Sequence, residues 1–308
     1  MSGSLKKARI FFGFFLLAIL VWHFDFRKVV SEISHLDSFY FLSAAILILF
    51  FTILGAYNTY LLVNIEKKLS FLDFIPIYWM SWAAALVFPG QIGDMVTLSA
   101  IMKKHGLKIS QTLGRSLADK LISFMLMLVF ACWGIFSLPG VHFTSYWLLA
   151  MLPFAIFSLS YWWRVSLLRV FNGWQPRCAD FLSRTFNEIT TLTRRHPIRV
   201  TVNISLTVVK IILAGAAYWC IFQALGYAEG NFWRVVPLVA ASSLVAYLPI
   251  SFNGIGTVEV AGIALFSTIG LSEATVLSAY LTLRLLVVIV AWGPLFVWLV
   301  TNQLENSR

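Results

Sequence analysis

Phe88-Pro89-Gly90-Gln91-Ile92-Gly93-Asp94 stands near the middle of an apolar region, 72–102, that is too long for one ordinary membrane crossing. As a continuous α-helix the region would run about 46 Å at 1.5 Å per residue, against a hydrocarbon core about 30 Å thick. Proline removes a backbone donor and its ring strikes the preceding turn; glycine adds freedom that a helix must freeze. The pattern predicts two half-helices that enter the bilayer and return. A second region, 231–270, repeats the grammar with Pro237, then Leu248-Pro249, then Asn253-Gly254-Ile255-Gly256.

Outward from these two regions, apolar spans run over 10–24, 39–65, 111–137, 145–163, 200–225 and 274–301. Hydrophobic residues make up 60% of the chain and charged residues 12%, with mean hydropathy +0.85, which excludes an ordinary soluble domain. The ten-residue alternation of transmembrane β-strands is missing. The expected fold is an all-α polytopic membrane protein, with six full transmembrane helices and two broken re-entrant helical hairpins in a single membrane domain, 1–308. Lys6-Lys7-Arg9 followed by Ile10 to Phe24 resembles the first two regions of a signal peptide. Trp22-His23-Phe24-Asp25 offers no small-residue cleavage site, so a retained first helix is expected.

The net charge is +10, and its placement matters more than its size. With the N-terminus in the cytoplasm and each hairpin returning to its own side, Lys67, Lys68, Lys103, Lys104 and Lys108 fall inside. So does the basic link 164–199, with Arg164, Arg169, Arg177, Arg184, Arg194, Arg195 and Arg199. The outer links 138–144, 226–233 and 271–273 then contain no Lys or Arg, and only Arg27 and Lys28 sit outside. That asymmetry satisfies the positive-inside rule and predicts cytoplasmic termini. Within the link, Leu182, Phe186, Ile189 and Leu192 recur at helical spacing, which fits an interfacial helix on anionic head groups or a solvated basic loop.

The two broken regions resemble each other. Ala56-Tyr57 matches Ala217-Tyr218, Phe71 matches Phe232 and Pro76 matches Pro237, each 161 residues apart. Ile92-Gly93 matches Ile255-Gly256 at 163, and Leu117-Ala118-Asp119-Lys120-Leu121 matches Leu281-Thr282-Leu283-Arg284-Leu285 at 164. Repeat A (1–138, hairpin 72–102) and repeat B (139–308, hairpin 231–270) each contain an odd number of full crossings, so the second is expected upside down. Inverted repeats with broken helices at their interface are a transporter plan. Irregular backbone at membrane depth must face protein or a watery cavity. Helices starting near Gly93 and Gly256 would aim free N–H groups into that cavity, a suitable place for a phosphate. The plainer alternative is that these glycines serve close helix packing.

Five cations lie within apolar regions: Arg115, Lys120, Lys210, Arg234 and Arg284. The acids there are Asp94, Asp119 and Glu259. Charges at membrane depth are costly and usually face a cavity or a partner. Arg115 and Asp119, four apart, are expected to pair on one helix face. Asp94, Lys120, Glu259 and Arg284 are expected to form a central cluster, which either binds substrate or locks the hairpins. Lys210 and Arg234 are read as snorkelling to an interface. The excess of two cations suggests an anionic substrate, and Asp94 or Glu259 could carry a coupling proton. Cys132, Cys178 and Cys220 have no pairing or metal spacing, and all five histidines fall at or near span ends. Nucleotide and nucleophile motifs are missing too, so no cofactor, metal, catalytic constellation or nucleic-acid partner is expected.

At the hairpins the sequence resembles a known family. Phe88-Pro89-Gly90-Gln91-Ile92-Gly93-Asp94 is similar to the proline-glycine, glycine-acid motif of the lysylphosphatidylglycerol synthase transmembrane region, also called the flippase-like family. Leu248-Pro249-Ile250-Ser251, then Asn253-Gly254-Ile255-Gly256 and Glu259, resembles that family's second motif, usually richer in glycine where Phe252-Asn253 stand here and often charged where Thr257 stands. The resemblance covers nearly the whole chain. It implies translocation of aminoacylated phospholipid in members fused to a soluble aminoacyl-transferase domain, and handling of polyprenyl-phosphate-linked sugars in others. This chain ends at Arg308 without that domain, so lipid synthesis by the chain itself is not expected.

Together these readings point to a stand-alone lipid flippase of the bacterial inner membrane, moving an anionic lipid, a lipid-linked sugar or an aminoacyl phospholipid. Its site residues would be Asp94, Lys120, Glu259, Arg284, Gly93, Gly256, Arg115 and Asp119, with hairpin breaks at Pro89, Gly90, Pro249 and Gly254. The competing readings are an accessory subunit of a glycosyltransferase or lipid-modifying system, and a membrane-embedded lipid-carrier transferase.

Overall fold

A computed structural model of the chain describes residues 31, 34–86, 93–138, 176–227, 231–248 and 251–306. The expected spans 10–24 and 145–163, most of the outer link 138–144, the start of the link 164–199, and Pro89, Gly90 and Pro249 lie outside the described residues.

The described residues form helices and no strands. In chain order these are α1 (Ser38–Val63), α2 (Phe71–Ala85), α3 (Gly93–Lys104), α4 (Ile109–Phe136), α5 (Pro176–Arg195), α6 (Pro197–Ala224), α7 (Phe232–Leu244), α8 (Thr257–Ser267) and α9 (Glu273–Asn306). Short 3₁₀ turns at Val245–Tyr247 and Phe252–Gly254 separate α7 from α8. Four helices are long and apolar enough to cross a membrane: α1, α4, α6 and the Glu273–Pro294 stretch of α9. They coincide with the expected spans 39–65, 111–137, 200–225 and 274–301.

The surface of α1 explains why. Phe39, Ile46 and Phe50 are largely exposed, while the opposite face buries Thr52, Gly55, Ala56, Asn58 and Thr59. Large apolar residues outside and small or polar ones inside is the pattern for a helix whose solvent is lipid. α1 and α6 pack antiparallel. Arg199 donates to the Leu61 carbonyl at one end (2.8 Å), and the Asp37 amide donates to the Ala224 carbonyl at the other (3.0 Å).

Both broken regions return toward the side they leave. Leu69, Phe74, Leu98, Met102 and Leu107 share one cluster with Val63, so α2 begins and α3 ends beside the C-terminal end of α1. At the opposite end, Phe232 at the start of α7 meets Trp219, and Phe266 at the end of α8 meets Phe222, both near the C-terminus of α6. The entry arms are capped alike. Ser70 accepts from the Asp73 amide and Asn231 from the Trp233 amide, a type of cap that stabilises a helix by about 1 kcal/mol. Each arm then runs on through its proline, Pro76 or Pro237, six residues past the cap, so these prolines do not make the breaks.

The described break in the second hairpin is a run of left-handed backbone: Asn253 at φ 48°, Gly254 at 71° and Gly256 at 80°. Glycine reaches that region without penalty, and asparagine tolerates it. A Cβ on Gly254 would also stand 2.6 Å from Val258 Cγ2, so this glycine serves both the turn and the close approach. The Ser251 and Thr257 hydroxyls bond each other across the break at 2.8 Å.

A proline also shapes α9. Pro294 cannot donate to the Val290 carbonyl. The Trp79 indole N–H of α2 fills the gap, donating to the Val290 and Ala291 carbonyls at 3.2 and 3.1 Å.

The described part of the basic segment departs from the loop reading of 164–199. Residues 176–195 form a helix rather than a loop, and its apolar stripe is covered within the bundle. Leu192 of α5 is buried with Leu62 and Ala118, and Ile189 packs on them, because the apolar stripe finds α1 and α4 to cover it. Arg184, Arg194 and Arg195 stay exposed.

Candidate functional site

A cavity of about 460 Å³ opens among α1, α2, α4, α6, α7 and α9, and both broken regions reach it. Its walls are largely aliphatic and aromatic, including Phe51, Trp82 and Tyr218, and its polar groups come from both breaks and from the long helices.

On the first side, α3 starts at Gly93 and carries Asp94 in its first turn. Asp94 Oδ2 lies 2.6 Å from Lys120 Nζ of α4, and its Oδ1 accepts from the Met95 amide. On the second side, Gly256 caps α8, which carries Glu259 in its first turn. Glu259 Oε1 receives both Nη2 (2.6 Å) and Nε (2.8 Å) of Arg284 on α9. Arg284 Nη1 also approaches the Asn253 carbonyl at 3.5 Å. The two pairs share one plan: an acid opens the helix after a break, and a base is supplied by the next long helix.

Of the expected central cluster, all four members line the cavity, as two separate pairs. Asp119 lines it too, through another kind of contact. It accepts from Asn58 Nδ2 (3.2 Å), Asn203 Nδ2 (2.8 Å) and Thr59 Oγ1 (3.1 Å), and Asn58 also donates to Thr207 at 2.9 Å. This knot ties α1, α4 and α6 together at membrane depth with neutral donors. Asn58, Thr59, Asn203 and Thr207 are uncharged polar residues within apolar spans; a reading that weighed only formal charge passes over them.

The expected Arg115–Asp119 pair does not form. Arg115 forks onto Glu66 at 2.7 Å through both Nη atoms, reaches Glu188 of α5 at 3.4 Å and donates to the Val63 carbonyl. It sits one turn closer to the polar end of α4 than Asp119, and acids in the adjoining link and in α5 are within its reach. The Arg115 hydrogen bonds hold the Glu66 carboxyl below its usual range. Arg115 therefore stands outside the cavity.

Two further readings change. Lys210 does not snorkel. It sits at the middle of α6, about 20 Å from either end, and lines the cavity with its ammonium 5.6 Å from the centre of the Phe51 ring. The excess of two cations also disappears from the site, because Arg115 is neutralised elsewhere and Arg234 is exposed in the first turn of α7. The cavity holds Lys120, Lys210 and Arg284 against Asp94, Asp119 and Glu259.

Among the described residues no group of three or more His, Cys, Asp or Glu could hold a metal ion. The cavity suits a ligand that enters with a polar head, meets paired charges held part-way open, and leaves an apolar portion against the aromatic walls.

Residues 8–293 match the family described as the lysylphosphatidylglycerol synthase TM region, nearly the whole chain. The chain belongs to that family and is a multi-pass membrane protein. No curated protein and no solved structure matches it.

Proposed function

From membership of the lysylphosphatidylglycerol synthase TM region family, we propose that the chain moves the polar head group of an anionic lipid across the bacterial inner membrane. The lipid would be an acidic or aminoacyl phospholipid or a polyprenyl-phosphate-linked sugar. The observation that carries this is the single cavity reached by both broken regions, with one acid–base pair from each. Its volume lies in the range of small-molecule sites, enough for a head group while the tails remain in lipid.

An inverted repeat supports the reading. The two hairpins hang from opposite ends of the α1–α6 pair. The last long helix of each half packs on the entry arm of the other, α4 on α7 and α9 on α2. Rocking one half against the other would expose the cavity to each side in turn. With the basic face at Lys67, Lys68, Lys103, Lys104 and the α5 arginines inside, both termini are cytoplasmic.

The lipid-carrier transferase reading gains one point from the fold, since Asp94, Asp119 and Glu259 meet at one cavity. Each is engaged by a base or by three donors, and the one carboxylate oxygen left without a partner, Glu259 Oε2, is buried. An accessory role beside a glycosyltransferase predicts that the pairs are dispensable once the protein folds.

The test is transbilayer movement in proteoliposomes, comparing fluorescent phospholipids and polyprenyl-phosphate sugars. One lipid class should move, and the Arg284→Ala protein should lose that movement. Equal movement with folded wild-type and variant protein would take Arg284 out of the path; a wild type that moves neither class would favour the accessory reading.

A further inference from the structure

Three cations reach the cavity, and two have acids of their own. Lys120 is spent on Asp94 and Arg284 on Glu259, each at 2.6 Å. Lys210 has no carboxylate within salt-bridge distance among the described residues. The charges that face it are Asp119, Lys120 and Asp94. Asp94 belongs to Lys120, and Asp119 already accepts three hydrogen bonds from Asn58, Asn203 and Thr59. What touches the ammonium instead is the face of Phe51. A lysine at mid-membrane is costly to hold, and a position that keeps one commonly marks a substrate path.

The space around it is built rather than incidental. A Cβ on Gly55 of α1 would stand 2.5 Å from the Tyr78 hydroxyl and 3.8 Å from Lys210 Cε. The missing side chain at Gly55 lets the Tyr78 phenol of α2 and the Lys210 stem of α6 both come up to α1 at the cavity. Tyr78 lines the cavity and makes no hydrogen bond among the described residues, so its O–H is free to donate. An ammonium with no carboxylate of its own, sharing the cavity with a free Tyr78 hydroxyl, offers donors to an anion.

We propose that Lys210, assisted by the Tyr78 hydroxyl, is the phosphate-binding point of this cavity, and that it receives a phosphodiester or phosphomonoester group. Lysine binds phosphate as a point charge and demands no fixed geometry, which suits a group in transit. The inference rests on the head-group reading of the cavity but assigns the phosphate to Lys210, while Arg284 and Lys120 hold the two breaks.

The experiment is native mass spectrometry of the full chain in neutral detergent, with phosphatidylglycerol and diacylglycerol of the same chains as probes. Wild type should retain phosphatidylglycerol over diacylglycerol. Lys210→Met should lower that retention roughly tenfold or more, the loss expected for one charge-assisted hydrogen bond. Lys210→Arg should keep most of it. Tyr78→Phe, which leaves the lysine intact and serves if Lys210→Met does not fold, should lower it several-fold. Arg195→Met, at an exposed cation on α5, should leave it unchanged. Competition by inorganic phosphate that depends on Lys210 would identify phosphate itself as sufficient, and its failure would point to the intact lipid. Undiminished retention by a folded Lys210→Met protein, or by Tyr78→Phe where Lys210→Met does not fold, overturns the proposal, and so does equal retention of diacylglycerol by wild type. A protein that binds in this Lys210-dependent way yet moves no lipid would sink the transport reading and leave this assignment standing.

Discussion

The two hairpin pairs use the same chemistry in different surroundings. Asp94 and Lys120 meet through one contact, and each side chain is 22% exposed to the cavity. Glu259 is 0% exposed, receives two nitrogens of Arg284 on one oxygen, and leaves Oε2 without a partner among the described residues. The first pair is two point charges at a mouth. The second is a buried acid held from one side by a fork, and the arginine is the more exposed partner. Burial sets what each pair costs to break, because a charge left alone in a dry place has nothing to replace its partner.

The sharpest way to break the comparison is to remove the bases. Arg284→Ala strands a fully buried carboxylate and should destabilise the protein by about 3–5 kcal/mol. Lys120→Ala leaves Asp94 open to the cavity and should cost about 1 kcal/mol. Thermal unfolding midpoints in detergent read both, and equal losses would show that the two sites are not different in kind. Adding Glu259→Leu to Arg284→Ala should recover most of the lost stability, since the stranded charge is then gone.

Exchanging each pair sharpens the contrast with a smaller effect. Asp94→Lys with Lys120→Asp should fold and keep a bridge, because both groups can reach the cavity. Glu259→Arg with Arg284→Glu should not, since a guanidinium must then fit where a carboxylate is wholly enclosed. Unfolding midpoints of the two double variants decide between them.

The least effect is expected at Glu66, which is 35% exposed, lies away from the cavity, and leaves Arg115 with Glu188 when it is lost. The folded-state carboxyl of Glu66 is depressed, so its contribution is present above the usual carboxylate value and is lost as pH falls through the lowered one. Acidifying from about pH 5 to pH 3 should lower the unfolding midpoint slightly, and Glu66→Gln should flatten that limb. An unchanged limb in the variant would mean that other carboxylates carry the acid sensitivity.

Much of this arrangement was legible before any coordinates. Proline and glycine inside over-long apolar regions marked the returns. Gly93-Asp94 and Gly256 with Glu259 flagged the acids, because few residues can open a helix at membrane depth. What failed was partner choice. Arg115 and Asp119 are one turn apart on α4, yet they face different neighbours, and only the docking of α5 and the α1–α2 link brings Glu188 and Glu66 to the arginine. Lys210 was misplaced for a related reason. A helix that is apolar all round carries no periodic signal for its inward face, so one cation could not be oriented from sequence. The Asn58–Asp119–Asn203 knot joins residues far apart in the chain, and local spacing is blind to it.

The indole of Trp79 has a mechanical meaning. Its N–H is the donor that the Pro294 ring denies to α9, and in lipid no water would replace it. Pulling α2 away from α9 would leave the Val290 carbonyl naked in hydrocarbon, so these helices should travel as one rigid piece. A sliding seam between the moving parts must then run elsewhere in the bundle.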